Sequence, residues 1–340
     1  MMERFFIVVC ACLLCLVSRT VNAETFAERL GYPAGARVVI LHVDDAGMSH
    51  QSNVGAVRSL TEGVANSVSL MMPCPWVAEF RTLLNAHPDL DVGLHLTLTS
   101  EWMGYRWGPL ASRDQVKGLL DPTGALWPTV EAVAKHATAD EVELEIRAQI
   151  AHARAIGIQP THLDSHMGTL FARDDFLERY IRVGAEEKIP VMFPGGHATA
   201  LRAQLTEEAN AGVAKERIAK AQAMAETVWA LGLPVLDDLH NTSYGWTTPA
   251  DATAPDSELV ARKVRRYTDA LRSLQPGVTM VIMHSTDSDR NFSFISDSGP
   301  TRRGDMLAML DAGLRDVIES EGIVLTTWRE LGERRKRVAQ

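Results

Sequence analysis

The chain has 340 residues, with 34 lysines and arginines against 43 aspartates and glutamates, a net charge of −9. That acidity excludes a general nucleic-acid binder, which must neutralise phosphates. The length suffices for one α/β barrel with a sizeable core.

The N-terminus reads as an export leader. Arg4 gives a positive start, residues 5–17 are apolar, and Ser18, Arg19 and Thr20 end the run. Val21-Asn22-Ala23 offers small residues to a signal peptidase, so cleavage after Ala23 is expected. A membrane anchor needs roughly 20 uninterrupted apolar residues. No later stretch meets that length, and the expected product is exported, periplasmic or extracellular, with no membrane span after cleavage. Cys10, Cys12 and Cys15 fall in the leader. Cys74 alone cannot form an internal disulfide, and a buried thiol is its expected state.

Beyond the leader, short β-branched runs alternate with helical periods. Strands are predicted at 37–43, 67–72, 91–96, 161–164, 190–193, 234–237, 278–283 and 323–327, with helices at 52–62, 139–155, 174–187, 203–230 and 257–274. This rhythm predicts a mostly parallel sheet covered by helices. About eight strands favour a distorted (β/α) barrel over an open sheet. No internal repeat or linker divides 24–340, which is expected to be a single catalytic domain. The irregular stretches 103–129 and 240–254 carry Trp107, Trp127 and Trp246, with Trp102 just before, as sugar platforms or packing residues. The Arg-Arg-Lys-Arg run at 334–337 reads as a solvated helix end.

Metal-capable residues recur at predicted strand ends, where ligands gather in parallel α/β folds. They are Asp44-Asp45, His95, the group His162, Asp164 and His166, the pair Asp237-Asp238, and His284. A lone histidine is ordinarily structural, but five strands ending this way point to a site. Adjacent carboxylates repel unless a cation neutralises them. Zinc held by two histidines and one carboxylate, with a water position open, is a recurrent hydrolytic arrangement. Capping by Asp44-Asp45 is the alternative, although Ser49 can itself cap the next helix.

The motif His42-Val-Asp-Asp-Ala-Gly-Met-Ser49, followed by Asn53, Gly55 and Gly63, resembles the opening of the YdjC-like carbohydrate deacetylases. The likeness continues through Ser67-Val-Ser-Leu-Met, Val92-Gly-Leu-His-Leu-Thr97, Pro160-Thr-His-Leu-Asp-Ser-His166 and Met283-His284. It implies a polysaccharide-deacetylase or TIM-like barrel and an acetylated amino-sugar substrate. It further implies one divalent metal held by Asp45, His95 and His166, with Asp44 as general base and His284 as candidate acid. Zinc is the first choice, with magnesium, cobalt, nickel and manganese as alternatives. His162 and Asp164 would orient the ligands from behind. The i,i+4 spacing of His162 and His166 also fits a helical zinc pair, but Pro160 and Thr161 open a strand-like segment. Ala46, Met167-Gly168-Thr169 and Ser285-Thr286-Asp287 depart from the family pattern and leave the specific sugar open.

Two rival readings remain at this point. A phosphoesterase would want a second metal or a cationic clamp, for which Arg290, Arg302 and Arg303 are candidates. An exported carbohydrate-binding protein would not need an intact site. A homodimer is expected on general frequency alone.

Overall fold

A computed structural model describes residues 24–339 except 103, 209–210 and 247–252. The expected leader, with Cys10, Cys12 and Cys15, lies outside the described residues. Seven strands are present among the described residues: β1 (Arg37–Ala46), β2 (Ser67–Leu70), β3 (Val92–Leu96), β4 (Leu163–Ser165), β5 (Asp238–His240), β6 (Gly277–Met283) and β7 (Val324–Leu325). All pairings are parallel, in the order β4-β3-β2-β1-β6-β5, with β7 beside the amino-terminal half of β1.

The predicted strand at 190–193 is replaced by two isolated bridges, Val191 to Leu163 and Pro194 to Leu236. Pro190 and Pro194 lack an N–H, so a full ladder cannot form there. These bridges join the β4 edge to the β5 edge and curl the sheet into a distorted barrel. The strand predicted at 234–237 begins instead at Asp238. The predicted helix 203–230 is described as two, Thr199–Glu208 and Ala211–Ala230, with Gly212, a weak helix former, in the first turn of the second. Other predicted helices fall within two residues of His50–Thr61, Ala139–Ala155, Asp174–Glu187 and Asp256–Ser273.

Strand alternation divides the interior into two cores. Val39, Leu41 and Val43 of β1 face outward, with Leu94 and Met283, into the layer shared with the helices. Val38 and Ile40 face inward with Val278, Met280 and Ile282 and fill the amino end of the barrel. Trp328 and Leu331, from the helix Trp328–Val338, plug that end. Each such fully buried apolar side chain contributes about 1.5–3 kcal/mol. The plug is pinned by Asp91, whose two carboxylate oxygens each accept a backbone N–H, from Trp328 and Arg329, at 3.0 Å.

The basic run at 334–337 is not wholly solvated. Arg334 lies 3.9 Å from the centre of the Tyr32 ring, and buried Arg335 lies 4.1 Å from that of Trp229. Guanidinium planes stack well on aromatic faces, which turns this helix end into a packing surface. No helix among the described residues is long and apolar enough to cross a membrane.

Candidate metal centre

The alternation that sends Val38 and Ile40 inward also sends His42 and Asp44 inward, one step further along β1. The same parity points Ser67 and Ser69 of β2, His95 of β3 and Asp164 of β4 into the barrel. Asp45 should then face outward. It does not, because φ is +64° there, a left-handed conformation for a non-glycine residue. The β1–β2 register slips over this stretch, with Val43 opposite Val68 and Ala46 opposite Leu70. This bulge brings consecutive aspartates to one mouth, and such strain persists at functional sites when the surroundings enforce it. Gly47 (φ +83°) completes the turn, its N–H held by Asn53 Oδ1 at 2.7 Å. Ser49 caps His50–Thr61, accepting the Ser52 N–H at 3.0 Å.

Asp45 Oδ1 stands 3.3 Å from both His95 Nε2 and His166 Nδ1. Its other oxygen pairs with the buried Arg302 guanidinium at 2.7 Å. Asp44 Oδ2 is 3.8 Å from His95 Nε2, and His284 Nε2 is 4.0 Å from one oxygen of each aspartate. Asp164 holds His95 from behind, Oδ1 to Nδ1 at 2.6 Å, and Glu101 holds His166 Nε2 at 3.0 Å. His284 is set by its backbone N–H, which donates to Asp305 Oδ2 at 3.1 Å. Asp305 is itself fixed by Lys263 Nζ at 2.7 Å and Tyr267 at 2.8 Å.

Charge follows from these contacts. Burial would raise the Asp45 carboxyl, but Arg302, His166 and His95 hold it well below its usual range. Burial also pulls the imidazoles down. For His166, Glu101 and Asp45 outweigh it and lift the group to about 9. Asp44 and Asp164 likewise hold His95 well above its ordinary value. His284 is lowered by its burial, against the pull of Asp45.

The donor set fits a divalent ion. Asp45 Oδ1 is buried without a hydrogen-bond partner, although two imidazole nitrogens stand beside it. Ligands about 2.0–2.2 Å from a tetrahedral ion stand roughly 3.3–3.6 Å apart, close to the spacing seen here. Asp45, His95 and His166 thus come together as one potential ligand group, while His162 joins a different trio with His42 and Asp164.

His162 and His166 are not a helical pair, because β4 runs between them and His166 opens a 3-10 turn. Asp237 and Asp238 lie outside the centre, at the start of β5 rather than at a carboxyl end. Asp237 accepts backbone N–H groups of Phe26, Ala27 and Val278 at 2.8–2.9 Å, and Asp238 accepts those of Ala200 and Leu201 at 2.8 and 3.1 Å. Two of the three candidate clamp arginines are committed to carboxylates. Arg302 is spent on Asp45, and Arg303 pairs with Asp256 and Asp287. Trp107 is buried, and Trp127 packs against His136 with 4.5 Å between rings. Trp102 lies beside the site, its ring centre 5.7 Å from the Arg302 guanidinium. Cys74 is buried and free.

Sequence reasoning assigned no site role to Glu101, Asp305 or His42, and Arg302 entered it only as a candidate for a cationic clamp under the rival phosphoesterase reading. Inward parity along β1 marks His42, but Arg302 lies on the helix Gly299–Leu310, where no strand pattern announces it.

Fold and site together define a curled parallel α/β barrel with a histidine–aspartate centre at the carboxyl ends of its strands. The profile of the YdjC-like protein family matches residues 38–320. The chain belongs to that family. A carbohydrate deacetylase of Thermus thermophilus is 37% identical over 167 residues, 49% of this chain, and the match spans only 57% of that relative. A carbohydrate deacetylase of Thermoanaerobacter pseudethanolicus is 25% identical over 292 residues, 86% of this chain and 98% of the relative. In structure, the chain resembles an Enterococcus faecalis protein described as a candidate for cellobiose-phosphate cleavage. That likeness has a TM-score of 0.67 at 18% identity, over 87% of this chain and 99% of the other, and it shows the fold alone.

Proposed function

We propose that this protein is a metal-dependent carbohydrate deacetylase that hydrolyses N-acetyl groups from amino sugars. The observation that carries the reading is the meeting of Asp45 Oδ1, His95 and His166 beside Asp44 and His284 at one buried mouth. Family membership and the names of the relatives support the acetylated-sugar substrate.

A divalent ion, when bound, polarises the amide carbonyl and lowers the pKa of water. Asp44 takes the proton of the attacking water. Its Oδ1 is occupied by His42 and Ser69, which leaves Oδ2 toward the mouth. His284 protonates the leaving amine, an essential step because an amide anion leaves very poorly. Its burial keeps the imidazole neutral in the free protein, so a proton must reach it during turnover, and Asp44 Oδ2 at 4.0 Å is the source the geometry offers. Acid–base groups so placed typically contribute roughly 10²–10⁴-fold each. Asp164, Glu101 and Arg302 orient the ligand side chains. The leader-like N-terminus supports action outside the cytoplasm, with the remainder working as one catalytic domain.

The test is acetate release from a panel of N-acetylated sugars by protein stripped of metal and then reloaded. Reloading should restore release, and Asp44→Asn should bind metal yet release none, a loss of at least about 10²-fold. Stoichiometric metal binding without acetate from any substrate would overturn the deacetylase reading.

A further inference from the structure

Beneath the metal centre, His42 is completely buried and occupied on both ring nitrogens. Nδ1 meets Ser67 Oγ at 3.0 Å. Nε2 makes its hydrogen bond with Ser69 Oγ at 3.1 Å and lies within charge-pair distance of two carboxylates, Asp164 Oδ2 at 2.9 Å and Asp44 Oδ1 at 3.1 Å, the former oxygen having no hydrogen-bond partner. Nε2 therefore carries a proton, since its lone pair would be repelled by two carboxylates at that range. The two carboxylates have different tasks. Asp44 is the proposed base, whereas Asp164 fixes the tautomer and ring angle of His95 through the 2.6 Å contact at Nδ1.

We propose that His42 is a positioning residue whose imidazole, set within 3.1 Å of both carboxylates, holds the base carboxylate of Asp44 and the Asp164 carboxylate behind His95 by charge, so that base and metal ligand keep one mutual register. The cluster of His42, His162 and Asp164 also has the makings of a second metal site. It is fully buried, with the His162 ring stacked on Trp328 at 5.2 Å, which closes the route an ion would take. In this proposal the Nε2 proton of His42, and not an ion, balances the two carboxylates.

The assignment of Asp44 as base rests on the deacetylase reading, but the link to Asp164 can be tested without substrate. In His42→Leu the Asp164 carboxylate loses its lower donor and turns off His95. Cobalt affinity should fall about 10–100-fold, and the cobalt d–d absorption should shift, measured at a temperature where the variant is still fully folded. His42→Gln places an amide donor near the Nε2 position and should restore affinity to within about threefold of the natural protein. With an active substrate, His42→Leu should lower kcat by about 10²-fold while KM stays constant.

Long-range ¹⁵N–¹H spectra of the unsubstituted imidazole should show Nε2 protonated, which tests the proposal even if His42→Leu does not fold. An unprotonated Nε2 would overturn it. So would natural cobalt affinity and absorption in His42→Leu, or equal losses in the Leu and Gln variants. Two metals bound per natural chain, the second lost in His42→Leu, would make the cluster a metal site and also overturn it. Absence of acetate release, with the cobalt and spectral results as expected, would refute the deacetylase reading alone.

Discussion

Arg302→Met removes the guanidinium that, among the described residues, pairs with Asp45. Both side chains are about 2% exposed and their polar atoms are 2.7 Å apart, so neither charge can turn to water for compensation. At an effective dielectric of about 20, charges ~4 Å apart attract by ~4 kcal/mol. Breaking a buried pair by deleting one partner typically costs about 3–5 kcal/mol. The loss should therefore be of that size in the metal-free protein, and smaller once a divalent ion supplies the missing positive charge. Urea unfolding of the natural and substituted proteins, without metal and with saturating zinc, measures both values. A double-mutant cycle with Asp45→Asn separates the ion pair from the contacts Arg302 makes with Tyr244 and Trp102, with an expected coupling of about 1–3 kcal/mol. A metal-free cost below about 1 kcal/mol would refute the reasoning. An equal cost with and without zinc would show that Arg302 and the ion do not share Asp45.

Metal uptake should release protons. His166 titrates near 9 and His95 above its ordinary value in the metal-free protein, so both are protonated at neutral pH and must lose a proton to become ligands. Apparent zinc affinity should accordingly weaken as pH falls from 9 to 6, and titration in weak buffer should acidify the solution; a pH-independent affinity without proton release contradicts the ligand set. Gly93→Ala would place a Cβ 2.4–2.5 Å from the His162 ring, which Trp328 backs, so about 1–3 kcal/mol of stability should be lost. An unchanged melting midpoint would mean that the ring can yield.

The sequence carried the strands around the site because β1, β3 and β6 are apolar runs that end in polar side chains. Parity along β1 also places His42 and Asp44 inside, on the face of Val38 and Ile40. Asp45 breaks that parity, and its reason lies in a register slip against β2 that no local pattern encodes. Asp237 and Asp238 misled for the opposite reason. They follow an apolar run, but that run makes only an isolated bridge, Leu236 to Pro194, and their carboxylates satisfy backbone N–H groups at the starts of helices. Arg302 and Glu101 reach the centre from a helix and an irregular segment, where only tertiary packing decides what they touch.

The seam at Val191 and Pro194 makes the barrel mechanically lopsided. Seven register pairs clamp β1 to β6, so the wall that carries both aspartates and leads into His284 is the stiff one. Isolated bridges join the far wall, where few backbone bonds must give way before it moves. That far wall includes β4, which carries Asp164 and leads into His166, so the distance from His166 to Asp45 on the stiff wall is set across the seam.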